Sequence, residues 1–227
     1  RMDQRTEAGM RRAEELFRRA LAEDPGYAPA WVGVADCSAL LFEYGYAQKE
    51  ILDTAETAAH RAVELDPGLG EAHTSLGLVY EARCQGPEAV RAYLRAVRLQ
   101  PGYADPYNWL SWTYQNLGRP REALEWSRKA VSLNPLATEV VANLSVTLLM
   151  TGDAEEALRE ARRAHRRGGS AGLRGAWPAT ACATARMWSG VVPQQPPTML
   201  TRPLAANSPT SSAIASGLSS YSPNSFG

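Results

Sequence analysis

The chain has 227 residues, in which 24 acidic side chains balance 24 basic ones for a formal net charge of zero. That balance, with no basic stripe, excludes the electrostatic footprint of a nucleic-acid binder, and no apolar run reaches the length of a membrane span. Cys37, Cys84 and Cys182 are too few and too scattered for a disulfide framework, and no C-x-x-C occurs, so a reducing, cytoplasmic setting is expected.

The first apolar pattern, Ala13, Phe17 and Ala20, has helical spacing and stops at Asp24-Pro25. Proline ends a helix because its ring removes a donor and drives the preceding residue out of helical geometry. The same closing pattern returns in Ala55, Ala59 and Ala62 with Pro67, in Ala89, Tyr93 and Ala96 with Pro101, and in Ala123, Ser127 and Ala130 with Pro135. Each return is preceded by another helical pattern: Trp31, Val34 and Ala35, then His73, Leu76, Gly77 and Tyr80, then Tyr107, Leu110, Ser111 and Tyr114. Pro67, Pro101 and Pro135 stand 34 residues apart, and the matching positions between them shift by the same interval. A period of that length implies stacked helical hairpins, in which no unit buries its apolar face alone.

The expected units are a partial repeat over 1–27, then repeats over 28–69, 70–103, 104–137 and 138–168. The partial unit holds only a second helix, so the chain is expected to begin inside a repeat and to be a piece of something larger. Pro25 to Pro67 spans 42 residues, which places an insertion near 42–50, around Glu43-Tyr44-Gly45-Tyr46. In the last unit Val141, Leu144, Ser145, Leu148, Ala157, Ala161 and Ala164 keep the register, but Gly169 stands where the closing proline would be. Residues 169–227 then become rich in Ser, Pro, Thr, Ala and Gly and contain no acid, so a low-complexity, largely disordered tail is expected. A short helix over 179–188 could cap the last repeat with Met187 and Trp188.

The order of a bulky residue, Leu, a small residue and an aromatic, followed by Ala, an aromatic or small residue, Ala and Pro, resembles the tetratricopeptide repeat (TPR). The resemblance covers about residues 5–167 and implies an all-α fold, a right-handed superhelical solenoid of antiparallel helix pairs. Small residues at Ala35, Gly77 and Ser111 would let the first helix of a pair, helix A, close on the second, helix B, while Leu76, Leu110 and Tyr80 fill the space between hairpins. The stretch from Arg5 to Asp36 is similar to TPR regions C-terminal to bacterial signalling domains: nucleotide cyclases, serine/threonine kinases and winged-helix regulators. Lys49 and Lys129 are the only lysines, which suggests a high-GC bacterial genome.

Chemistry-bearing signatures are absent. His60, His73 and His165 have no partner at metal-ligand spacing, and neither a phosphate-cradling glycine loop nor a nucleophile elbow occurs. No enzyme activity, cofactor or metal is therefore expected. Acids such as Glu122 and Glu125 open second helices, where the helix dipole favours them.

The resemblance implies a protein or peptide partner in the concave groove lined by the A helices, at the second, fifth, ninth and twelfth positions of each repeat. The candidate groove residues are Asp36, Glu71, Thr74, Leu78, Asp105, Asn108, Trp112, Gln115, Glu139 and Asn143. Glu71, Asp105 and Glu139 recur at one repeat position and should form an acidic row. Trp112 matches no packing position of the repeat and would anchor a ligand. The Lys, Asn and Arg set with which TPRs hold the acidic C-terminus of heat-shock chaperones is replaced by Glu71, Thr74, Ser75 and Leu78, then Asp105, Asn108, Trp109 and Trp112. The expected ligand is a basic, partly apolar peptide or helix. The expected function is a protein-interaction scaffold in bacterial signalling; the alternatives are a regulatory or substrate-recruiting segment of a larger kinase or cyclase, and self-association.

Overall fold

The computed structural model describes residues 6–168, and every regular element within them is an α-helix. A first helix, α1 (Glu7–Glu23), is followed by four antiparallel A–B pairs. They are α2 (Ala28–Glu43) with α3 (Ile51–Leu65), α4 (Gly70–Ala82) with α5 (Gly86–Leu99), α6 (Asp105–Asn116) with α7 (Pro120–Leu133), and α8 (Thr138–Thr151) with α9 (Ala154–Gly168). The tail over 169–227, including the expected capping segment 179–188, lies outside the described residues.

Proline sets where α1 and the next three B helices stop. Asp24, Asp66, Gln100 and Asn134, each directly before a proline, leave their helices with φ between −133° and −139°. That is the extended geometry a following pyrrolidine ring imposes. The proline carbonyl is then used again: Trp31 Nε1 donates to Pro25 O at 2.9 Å, His73 Nε2 to Pro67 O at 3.1 Å, and the Tyr107 hydroxyl to Pro101 O at 3.1 Å. One aromatic with a polar head, six residues past each of these three prolines, thus ties the new A helix to the end of the preceding helix, whereas Val141 stands six past Pro135.

The A-to-B turns use left-handed backbone, at Gly118 (φ 69°) and Gly152 (φ 94°) after α6 and α8. At the equivalent position after α4 stands Cys84 with φ 61°, where a side chain costs about 1–2 kcal/mol. Between α2 and α3 the connection is longer, residues 44–50, against 83–85 and 117–119 in the next two pairs. It folds back on the helix end through Tyr46 N and Ala47 N, both donating to Leu41 O, and Arg11 Nη2 reaches Tyr46 O at 3.2 Å.

Two apolar clusters form the core. One gathers Val34, Ala39, Ala55 and Val79 in the first two pairs, and the other runs from Tyr93 through Tyr107, Leu110 and Trp126 to Leu144 and Leu148. Partly buried Tyr80 and Trp109 pack against both clusters and join them. Helices approach closely at Gly33, where an added Cβ would lie 2.4 Å from the Phe17 ring, and at Gly77, where it would lie 2.4 Å from the fully buried Tyr93 ring. One repeat on, Ser111 and Ser127 occupy the same two positions, both fully buried. A ring facing glycine and serine facing serine are two solutions to one fixed spacing.

Gly77→Ala is therefore expected to destabilise the fold by about 1–3 kcal/mol, because the ring has no room to yield. Gly102→Ala, whose Cβ would meet nothing within 4 Å, serves as the control and should leave the urea midpoint unchanged. Equal midpoints for both variants would contradict the tight contact.

Candidate functional site

The A helices α2, α4, α6 and α8 touch one another in succession and form one wall of the solenoid. Helical geometry puts residues 71, 74, 78 and 81 of α4 on one face, and the matching residues of its neighbours continue it. The structure divides the expected groove residues along this wall into two groups.

The first group is accessible in part or in full: Asp36, Glu71 and Trp112 are half-buried, and Asp105 and Glu139 are exposed. Asp36 Oδ1 accepts the Ser75 hydroxyl at 2.5 Å, Glu71 Oε1 accepts Gln100 Nε2 at 3.2 Å, and Asp105 Oδ2 accepts the Tyr103 hydroxyl at 3.0 Å. The three carboxylates come from three successive A helices and are near enough for all three charges to act on the Tyr103 hydroxyl. Burial, the Asp105 carboxylate and then Asp36 and Glu71 all push the Tyr103 phenol well above its usual pKa. The Asp36 carboxyl is raised to about 7, first by burial and also by the charge of Asp105, against the lowering effect of the Ser75 bond. Glu71 Oε2 and Gln100 Oε1 are buried with no hydrogen-bond donor in the described chain. Neither Asp36 nor Glu71 enters an ion pair there.

The second group is consumed by the interior. Thr74 is buried and returns its hydroxyl to Gly70 O at 3.0 Å, and Leu78 is buried beside it. Asn108, Gln115 and Asn143 belong to a buried polar network between α6 and α8. Gln115 Nε2 lies 2.6 Å from Asn143 Oδ1 and 2.9 Å from Thr147 Oγ1, and Asn143 Nδ2 donates to Asn108 Oδ1 at 2.9 Å. These amides satisfy one another, so their chemistry holds two A helices together. Beyond them the wall turns apolar, with Val146, Leu149 and Met150 exposed on α8.

One further carboxylate on the wall is not among those candidates. Glu81 is buried on α4, accepts the Tyr93 hydroxyl at 3.0 Å and the Thr113 hydroxyl at 3.2 Å, and so connects α4, α5 and α6. Burial raises its pKa to about 8, with the Glu43 charge adding to the shift and the hydrogen bonds from Tyr93, Thr113 and Asn116 opposing it. The twelfth-position rule places it on the wall, but a glutamate at the end of a helix reads as a solvated residue, so its burial is not legible in the sequence. No group of three or more His, Cys, Asp or Glu able to hold a metal ion occurs among the described residues.

Family models for the tetratricopeptide repeat match residues 44–104 and 110–171, and another matches 92–125. Among solved structures, the chain is similar to TTC0263, a thermophilic TPR protein of Thermus thermophilus, at 21% identity over 79% of this chain and 92% of that one, with a TM-score of 0.63. It is also similar to MamA at 22% identity over 74% of this chain and 95% of that one, with a TM-score of 0.51. The Cut9–Hcn1 structure matches at 17% identity and TM-score 0.61, over 74% of this chain but 31% of that one. A search among curated proteins finds no match. At these identities the likeness concerns the fold.

Glu81 generates a pH prediction. Its folded pKa lies above the usual value of 4.5, so the stability from burying the neutral acid is complete below 4.5 and is lost as pH rises towards 8. Urea unfolding at pH 5 and pH 9 should show a loss for the wild type that Glu81→Gln reduces, by on the order of 2 kcal/mol. An identical loss in both proteins would place the ionisation elsewhere.

Proposed function

The chain belongs to the tetratricopeptide repeat family, and we propose that it is a protein-interaction scaffold whose A-helix wall receives a basic, partly apolar segment of a partner protein. The observation that carries this reading is the convergence of Asp36, Glu71 and Asp105 around Tyr103. Bringing like charges together under burial raises the cost of keeping them ionised. A guanidinium or ammonium group entering between them reverses both effects, since it supplies the opposite charge and the donors that Glu71 Oε2 lacks.

Next along the wall are half-buried Trp112 and then the exposed apolar residues Val146 and Leu149. This order favours a ligand with a cationic end over α2, α4 and α6 and an apolar end over α8. Aromatic anchors of this kind dominate binding energy in many interfaces. The coarse role follows from the repeat, which supplies an extended binding surface. No described helix is long and apolar enough to cross a membrane.

A peptide alternating Arg and Leu provides the probe, measured by isothermal titration calorimetry. Trp112→Ala and the double variant Glu71→Lys/Asp105→Lys should each weaken binding at least tenfold, about 1.4 kcal/mol, with unchanged helicity. The charge-reversed variant should also lose the salt dependence of the wild type. Unchanged affinity in normally helical variants would sink the proposal.

A further inference from the structure

A second candidate site lies away from the wall just described. His73, Leu76 and Tyr80 of α4, with Glu88, Arg91, Ala92 and Arg95 of α5, line a cavity of about 290 Å³ that lies open to the surface. His73, Leu76 and Tyr80 each follow a wall position of α4 by two residues, about 200° round the helix. The cavity therefore opens on the opposite side of α4 from Glu71 and Leu78. Its size is close to the lower end of the range for small-ligand pockets, about 300 Å³, the scale of one large side chain.

The chain itself shows what fits such a space. Moving 34 residues on, His73, Leu76, Tyr80 and Ala92 become Tyr107, Leu110, Tyr114 and Trp126. There the indole of Trp126 is buried between the two tyrosines, stacked on Tyr114 at 6.5 Å and 11° and tilted on Tyr107 at 6.1 Å and 42°. In the preceding repeat the aromatic pair is kept as His73 and Tyr80, but the filling ring is replaced by the methyl group of Ala92. Tyr80 is only half-buried and His60 meets its ring edge-on at 6.5 Å. By the repeat register, the cavity is lined by the counterparts of the residues that enclose the indole one repeat further on.

We propose that this cavity is a binding site for an aromatic side chain carried by an acidic segment of a partner protein. The ring specificity comes from His73 and Tyr80, which stand where Tyr107 and Tyr114 hold Trp126. The acidic preference comes from the rim, where Arg91 replaces Glu125 and offsets Glu88, and Arg95 keeps the positive charge of Lys129. Arg91 is paired with Glu88 at 2.8 Å, whereas Arg95 is exposed and makes no ion pair with a described residue. A carboxylate beside the incoming ring would reach Arg95 in a charge-assisted bond. The site is independent of the acidic wall, and a segment bound here has the opposite charge preference.

The probe is the peptide acetyl-Asp-Glu-Trp-Glu-Asp-amide, with its Trp-to-Ala counterpart, titrated into the full ¹⁵N-labelled chain and followed by amide shifts. Binding of the tryptophan peptide should move His73, Tyr80 and Ala92, and the alanine peptide should bind at least tenfold more weakly. Ala92→Trp, which supplies the missing ring from within the chain, should abolish binding, and Arg91→Glu/Arg95→Glu should weaken it at least tenfold. Equal binding of the two peptides, retained binding by Ala92→Trp, shifts centred on Trp112 and Glu71, or no shift at millimolar peptide would each overturn the proposal. If Ala92→Trp loses its helical circular dichroism, the alanine peptide and the arginine double variant decide the matter. Because the readout is at His73, Tyr80 and Ala92, failure here leaves the reading of the acidic wall untouched.

Discussion

Everything in the chain depends on how closely each A helix approaches its B helix. At Gly77 there is no side chain at all, and the Tyr93 ring occupies the space. This contact gives one hairpin its interior but leaves the outer sides of both helices apolar and uncovered. They are covered only when the next A helix docks, which is why Tyr80 and Trp109 each contact two apolar clusters. The proline carbonyls fix the angle of that docking, because Trp31, His73 and Tyr107 can reach them only if the new A helix starts in one orientation. Spacing within a pair and orientation between pairs are thus set by separate devices, a small residue and a capped proline.

The same wall that presents charge also has to hold the A helices together, and the two demands are divided along its length. Between α6 and α8 the polar residues Asn108, Gln115 and Asn143 are buried and bond to one another across the two helices. Between α2, α4 and α6 Asp36, Glu71 and Asp105 accept from the neutral donors Ser75, Gln100 and Tyr103, and no described cation pairs with Asp36 or Glu71. A satisfied amide network adds rigidity at little electrostatic cost, whereas enclosed carboxylates stay costly until an opposite charge arrives. The wall is therefore tied by amides at one end and lined with carboxylates at the other.

The repeating fold was legible because the features that mark it, a proline stop, a small residue and a polar-headed aromatic, are local and recur at one interval. The helix pairs and their order follow from those marks alone. What sits on the wall was only half legible, and for one reason. The position rule gives the phase of a residue on its own helix, but burial depends on the neighbouring helix as well. Asn108, Gln115 and Asn143 have inward phase, yet each finds its bonding partners on the facing helix. Glu81 likewise becomes buried because Tyr93 and Thr113 come from two other helices to meet it. No single-helix pattern carries that information.

Repeats offer a remedy, since equivalent positions meet the same spacing and can be read against one another. A change of residue size at one position is then either compensated at the position it faces or left open. Tyr93 against Ser127 is compensated, because Gly77 makes room for the ring and Ser111 stands at the matching position one repeat on. Ala92 against Trp126 is not: His73 and Tyr80 are no larger than Tyr107 and Tyr114, and a cavity of about 290 Å³ remains. Interiors close-pack, so an uncompensated loss of volume forfeits dispersion contacts that a partner's side chain can restore. An uncompensated position in a repeat is thus a physical criterion for a binding site, and it needs neither a charge pattern nor a motif to be recognised.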